Sequence, residues 1–324
     1  MAKKKETNPF IRILLLVVGY LIIYLGIRFL LVDLFHVDRN ITRVIDYIAI
    51  LIYLFTLIKK WKLTHIFKWN TKSFIKGLIV GSLFLIVSVI NAVTALHGTK
   101  GLPLQSPGYI IFWILVYLIG AGFIEEVFAR GIIINLIKEK YKFTNKKNIV
   151  IAIITSGVVF GSMHLMNIIS KGTVPIGQML VTTGMGIAFA AIYIRSNSLW
   201  STVLLHGLWD ICVGLDSLIF IIEEEAATKL SMPMEIAAGT VFILLYSLYS
   251  AFLLRKKRLK SVMKNKRKEI EAERDQRFLE EFGMTYKEFD QLDLHTQLEL
   301  ISQKREEKKK ESLGKRLIHK IKKH

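Results

Sequence analysis

Residues 123–131 read FIEEVFARG and lie inside an apolar run that begins near Tyr109 and resumes at 132–137 as IIINLI. A run of that length has the dimensions of a membrane-crossing helix. An unpaired charge at the bilayer centre costs from about 2.5 kcal/mol upward, yet this run holds Glu125, Glu126 and Arg130. Either the charges neutralise one another within protein, or they serve a polar site in the membrane.

The rest of the chain supports a membrane setting. Its 324 residues are 52% hydrophobic with a mean hydropathy of +0.42, more apolar than a soluble domain of that size requires. Eight runs are long and apolar enough to be read as spans, at about 10–32, 43–59, 74–96, 109–137, 149–169, 176–195, 199–222 and 234–254. The 10–32 run follows a basic N-terminus but lacks a small-residue cleavage pattern, so it reads as a retained first span. The expected fold class is therefore all-α, a polytopic membrane protein of about eight transmembrane helices.

Charge is distributed unevenly. The net charge is +19, from 45 basic and 26 acidic residues. The basic residues fall between apolar runs and in the tail, which points to anionic lipid headgroups and away from nucleic acid. Lys3–Lys5, the 59–76 segment, KEKYKFTNKK at 138–147, Arg195 and RKKRLK at 255–260 alternate with loops poor in Lys and Arg. By the positive-inside rule both termini are cytosolic and the 223–233 loop is external, in a multi-pass protein of the cell membrane. Abundant Lys and Ile with few prolines suggest a low-GC bacterial source. The single cysteine, Cys212, excludes an intrachain disulfide and reads as a small hydrophobe.

Apolar runs stop at Leu254. The expected division is a membrane-embedded domain at 1–254, with its polar core at about 105–225, and a charged helical cytosolic tail at 255–324. The tail contains the mixed-face stretch FLEEFGMTYKEFDQLDLHTQLELI at 278–301 and reads as a segment for a cytosolic protein partner.

Within the apolar runs, Glu125, Glu126, Arg130, His164, His206 and Asp210 are ionisable. At about 1.5 Å rise per residue, Glu125 lies about 20 Å from the cytosolic edge, His164 about 24 Å, His206 about 12 Å and Asp210 about 18 Å. Three helices thus bring polar groups to overlapping depth. Glu126 and Arg130 are four residues apart and can neutralise each other, and His206 and Asp210 share that spacing. Glu125, rotated by about 100° from Glu126 on an α-helix, is directed to another element, with His164 as its expected partner. Such a set can act as a carboxylate general base assisted by histidines. Alternatively Glu125, His164 and His206 can ligate a divalent metal such as Zn that polarises water. A buried pair that only fixes packing is the structural alternative for Glu126 with Arg130, and a packing histidine that for His164.

In order, these residues spell EEVFAR (EExxxR), FGSMH with Phe160 and His164 (FxxxH), and HGLWD (HxxxD). Together the three motifs resemble the CPBP family of intramembrane proteases, the CAAX protease and bacteriocin-processing or Abi family. The resemblance implies that Glu125 and His164 activate water. His206 and Asp210 then hold the water, a metal or the oxyanion, with Glu126, Arg130 and Phe160 in support. Eukaryotic CAAX-processing relatives carry Asn at the last motif position, so Asp210 is a departure that bears on prenyl-CAAX specificity more than on hydrolysis. The implied substrate is a membrane-bound or membrane-inserting peptide or protein. The competing expectation is a non-proteolytic scaffold or regulator on the same fold, as in bacteriocin self-immunity.

Overall fold

The structure, a computed structural model, describes residues 8–168, 176–222 and 231–321. Within them the regular structure is helical, apart from an isolated antiparallel bridge between Leu104 and Phe220. The protein is an all-α polytopic membrane protein. Six helices are long and apolar enough to span: α1 (Pro9–Leu34), α2 (Arg39–Lys60), α5 (Pro107–Tyr141), α6 (Lys146–Asn167), α7 (Ile176–Ser196) and α10 (Met232–Leu253). A bent pair, α3 (Thr71–Val80) and α4 (Ser82–Gly98), meets at 63° and makes a seventh span if counted as one.

The remaining expected span, 199–222, differs from expectation. It forms α8 (Leu199–Val213), 15 residues long, then a break at Gly214 and the short α9 (Leu215–Ile219). At 1.5 Å per residue α8 reaches only about 22 Å, less than the roughly 30 Å hydrocarbon core. Residues 223–230, which include most of the loop expected to be external, lie outside the described set, as does 169–175.

Short polar residues set the helix starts. Asp38 accepts from the Asn40 and Ile41 amides. Asn70, Asn145 and Ser198 likewise cap α3, α6 and α8. Each satisfies amides that the first turn leaves without an intrahelical acceptor, worth about 1 kcal/mol. Between α7 and α8, Asn197 takes a left-handed conformation (φ 58°) and turns the chain back within two residues, a conformation Asn tolerates better than most residues.

Packing follows membrane rules. Ile22, Ile52, Ile79 and Leu248 face outward, as lipid-facing residues do, while small residues and polar links fill the helix seams. Ser156 Oγ donates to Ala129 O (3.0 Å) and ties α6 to α5. Asn135 Nδ2 donates to the Tyr193 hydroxyl (2.8 Å) and ties α5 to α7. The α6–α7 seam closes because Gly157 has no side chain: a Cβ there would stand 2.8 Å from the Ile187 backbone nitrogen. Gly157→Ala is therefore expected to destabilise the protein by about 1–3 kcal/mol through overpacking. Thermal unfolding in detergent checks this, and an unchanged midpoint would show that the seam can relax.

The described residues group into two compact units, one from Asn8 to Val262 and the other from Met263 onward. α11 (Lys256–Phe282) has most of its length in the second unit and ends at Gly283, whose φ of 73° supplies the left-handed helix stop. The next turn starts α12 (Tyr286–Asp290) with a capping box in which Thr285 and Glu288 serve each other's backbone. α13 follows from Leu294. Phe278, Phe282, Tyr286 and Phe289 form a small aromatic cluster.

Candidate active site

The backbone carrying FIEEVFARG departs from the regular α-helix. Residues Tyr117–Glu125 and Val127–Ile133 wind as wider i→i+5 turns, with Glu126 between them. Such stretches are rare and are often found at functional sites. The expectation that Glu125 and Glu126 point to different elements rested on α-helical rotation, and here the geometry differs: both carboxylates flank the same imidazole. His206 Nδ1 lies 2.9 Å from Glu126 Oε1, while His206 Nε2 lies 4.0 Å from Glu125 Oε2 and 3.9 Å from Asp210 Oδ1. An ionised carboxylate only accepts hydrogen bonds, so Nδ1 carries the proton shared with Glu126 and Nε2 is turned toward Glu125 and Asp210.

Beneath this imidazole sits a buried support. Arg130 Nη1 is 2.8 Å from Glu126 Oε1, and both side chains are fully buried. Arg130 Nη2 donates to Gly186 O (3.2 Å), and its guanidinium stacks on the rings of Phe160 (4.6 Å) and Phe189 (5.5 Å). Phe160 also meets the rings of His164 and His206, at 5.1 and 5.7 Å. Phe189 stacks on His206 at 5.3 Å. Phe160, the FxxxH phenylalanine, is thus the packing piece in contact with the arginine and with both histidines.

Glu125 and Asp210 differ from Glu126 in exposure: 33% and 30% of their side chains are accessible, against none of Glu126. Their accessible faces line a cavity of about 370 Å³ shared with Phe160 and His164. His164 Nδ1 is held 3.1 Å from Phe160 O. The cavity thus brings Glu125, His164 and Asp210 to one space, with His206 behind them. Cys212 is not among its lining residues. Among the described residues no three His, Cys, Asp or Glu side chains are arranged to hold a metal ion. Of the set named above for a divalent metal, His206 directs Nδ1 to Glu126 and has Nε2 4.0 Å from Glu125.

Sequence reasoning missed the lining contributed by α1 and α2. Tyr20, Tyr24 and Arg28 of α1 and Arg43, Asp46 and Tyr47 of α2 line the same cavity. Spaced at i, i+4 and i+8, the α1 residues share one helix face. Asp46, an acid inside the 43–59 run, was the signal available for it.

No curated protein and no solved structure matches the chain at a significant level. A family model does match, over residues 107–212, and its description is type II CAAX prenyl endopeptidase Rce1-like. The matched stretch contains all of EExxxR, FxxxH and HxxxD. By that match and the three motifs within it, this segment of the chain is similar to the Rce1-like type II CAAX prenyl endopeptidases.

Proposed function

We propose that the protein is an intramembrane endopeptidase that hydrolyses a peptide bond of a membrane-bound or membrane-inserting peptide or protein. The observation that carries the reading is the single cavity onto which Glu125, His164 and Asp210 open, with His206 turned toward them by a buried Glu126. In the proposed reaction Glu125 takes a proton from water as the oxygen bonds to the scissile carbonyl carbon. His164 helps to orient that water. His206 Nε2, as an imidazolium N–H, meets the developing oxyanion. The carbon–nitrogen bond then breaks, and the proton held by Glu125 passes to the leaving amine. This chemistry requires only carboxylate and imidazole groups, and no step runs through a metal. Asp210, four residues beyond His206 on α8, positions the imidazole or, when protonated, donates a second hydrogen bond.

Membrane peptidomics of cells carrying wild type or Glu125→Ala tests the activity and nominates the substrate together. Peptides that appear only with the wild type support hydrolysis. Identical peptidomes at matched expression would favour the scaffold or regulator reading, in which the fold is kept without turnover.

The proposed orientation has both termini in the cytosol, with the tail and inner loops against anionic lipid and a cytosolic protein partner at the tail. Thr173 and Thr228 lie outside the described residues and serve as reporters of the outer face. Cysteine placed at either is expected to react with an impermeant thiol reagent in intact cells, in a Cys212→Ser background. Reaction only after lysis would reverse the orientation.

A further inference from the structure

The cavity is lined by charges of both signs. Glu125 and Asp210 line it, and so do Arg28 and Arg43, contributed by α1 and α2. Those two helices lie outside the family match. Arg28 stacks on Tyr24 (4.8 Å), and its Nε sits 4.0 Å from Asp46 Oδ2, too far for a hydrogen bond. Arg43 stacks on the Trp113 ring at 4.5 Å. Two cations therefore share one nearby anion, Asp46, whose side chain is only 4% accessible.

Three buried polar atoms of this region have no hydrogen-bond partner within the protein: Arg28 Nε, Asp46 Oδ1 and Trp113 Nε1. Their residues all line the cavity. Buried polar groups are nearly always satisfied, and a guanidinium over an aromatic ring can still offer its N–H groups to a planar anion. From Tyr20, whose ring meets that of Phe128 at 5.3 Å, to Arg28 is eight residues, or about 12 Å along α1. An extended peptide covers that in roughly three or four residues.

We propose that Arg28 and Arg43 recognise a carboxylate of the bound peptide, a few residues from the bond presented to Glu125, and so determine which peptides the cavity accepts. The inference rests on the hydrolase reading for its substrate class. A planar carboxylate can accept two parallel bonds from a guanidinium, which a neutral amide cannot match. Two guanidiniums beside the single carboxylate of Asp46 supply the preference, and Asp46 keeps Arg28 from leaving the cavity wall. The group is either the peptide's C-terminal carboxylate or an acidic side chain near it.

Binding separates this inference from turnover. The Glu125→Gln protein in zwitterionic nanodiscs is mixed with three pools of short N-palmitoylated peptides that share neutral internal residues. One pool ends in a free carboxylate, one in an amide, and one in an amide with a single internal glutamate. Peptides retained by the protein are quantified by mass spectrometry. A carboxylate-bearing pool is expected to be enriched about ten- to a hundredfold over the amidated pool, and the two acidic pools show which source is read. Adding Arg28→Gln and Arg43→Gln, together and singly, should remove that enrichment, so that the acidic pools are retained no better than the amidated pool on the same variant. Equal retention of all pools, or enrichment that survives the double substitution, would overturn the proposal. So would loss of the enrichment when phosphatidylglycerol is added, since the arginines would then be binding lipid phosphate. Carboxylate enrichment without cleavage of any pool by the unmutated chain would support this inference while removing the hydrolase reading.

Discussion

Glutamine in place of Glu125 is expected to eliminate peptide cleavage while the protein still folds, extracts and melts as the wild type does. Glutamine keeps the shape of the side chain but cannot take a proton from water as a carboxylate can, and general-base catalysis typically contributes about 10²–10⁴-fold. Folding should be spared because Glu125 is partly accessible in the cavity and stands 4.0 Å from His206 Nε2, beyond hydrogen-bond distance. Glu126→Gln should behave differently. It weakens the 2.9 Å hold on His206 Nδ1 and the 2.8 Å pairing with Arg130, so it lowers both turnover and stability without abolishing either. Both variants, purified to equal yield, would be assayed on one peptide identified from the membrane peptidome. Ordinary turnover by Glu125→Gln would remove Glu125 from the chemistry.

The second large effect concerns Arg130. Its side chain is fully buried, and Arg130→Ala leaves Glu126 as a buried carboxylate without its cation. Breaking such a pair costs about 3–5 kcal/mol, a large share of the stability of any domain. The variant also opens space between Phe160 and Phe189, where the guanidinium is stacked. A sharp fall in detergent-extracted yield and in melting temperature is expected. The paired substitution Glu126→Gln with Arg130→Met should recover much of the loss, because replacing both charges removes the uncompensated one. A melting temperature for Arg130→Ala equal to that of the wild type would mean the pair contributes little to holding α5 against α7.

Six of the span positions were legible because hydropathy over about 20 residues is a direct reading of bilayer thickness, whereas the 74–96 run falls on a bent helix pair and the 199–222 run holds a helix too short to be counted as a span. The pairing of Glu126 with Arg130 was legible for a similarly local reason, their four-residue spacing. What could not be read was the winding of α5. Periodicity assumes one rotation per residue, and a change to wider turns leaves no mark on composition. Hence the convergence of both glutamates on His206 emerged only in three dimensions. The wall from α1 and α2 was hidden for another reason: Tyr20, Tyr24 and Tyr47 look like ordinary aromatic members of apolar runs, and Arg28 and Arg43 like charges near span ends. The bend between α3 and α4 is marked by Gly81 alone.

That bend and the shortness of α8 have a joint effect on the surrounding lipid. The two pieces of the bent pair pack against α8, so the deficient elements are neighbours and not scattered around the protein. A bilayer meets a hydrophobic segment shorter than itself by thinning at that place, at a cost of fractions of a kcal/mol per Å of mismatch. Lipid at the outward faces of α3 and α4, where Ile79, Ile86 and Val89 are exposed, is expected to be drawn inward on the side where these helices pack against the helix that carries His206 and Asp210. Headgroups and their hydration should then come closer to mid-membrane on this side, which would shorten the apolar distance that water and a polar peptide bond must cross. Acyl-chain length becomes a controlling variable: shorter lipids relieve the deformation and longer ones increase it, so the thickness of the host membrane sets how readily the cavity is supplied.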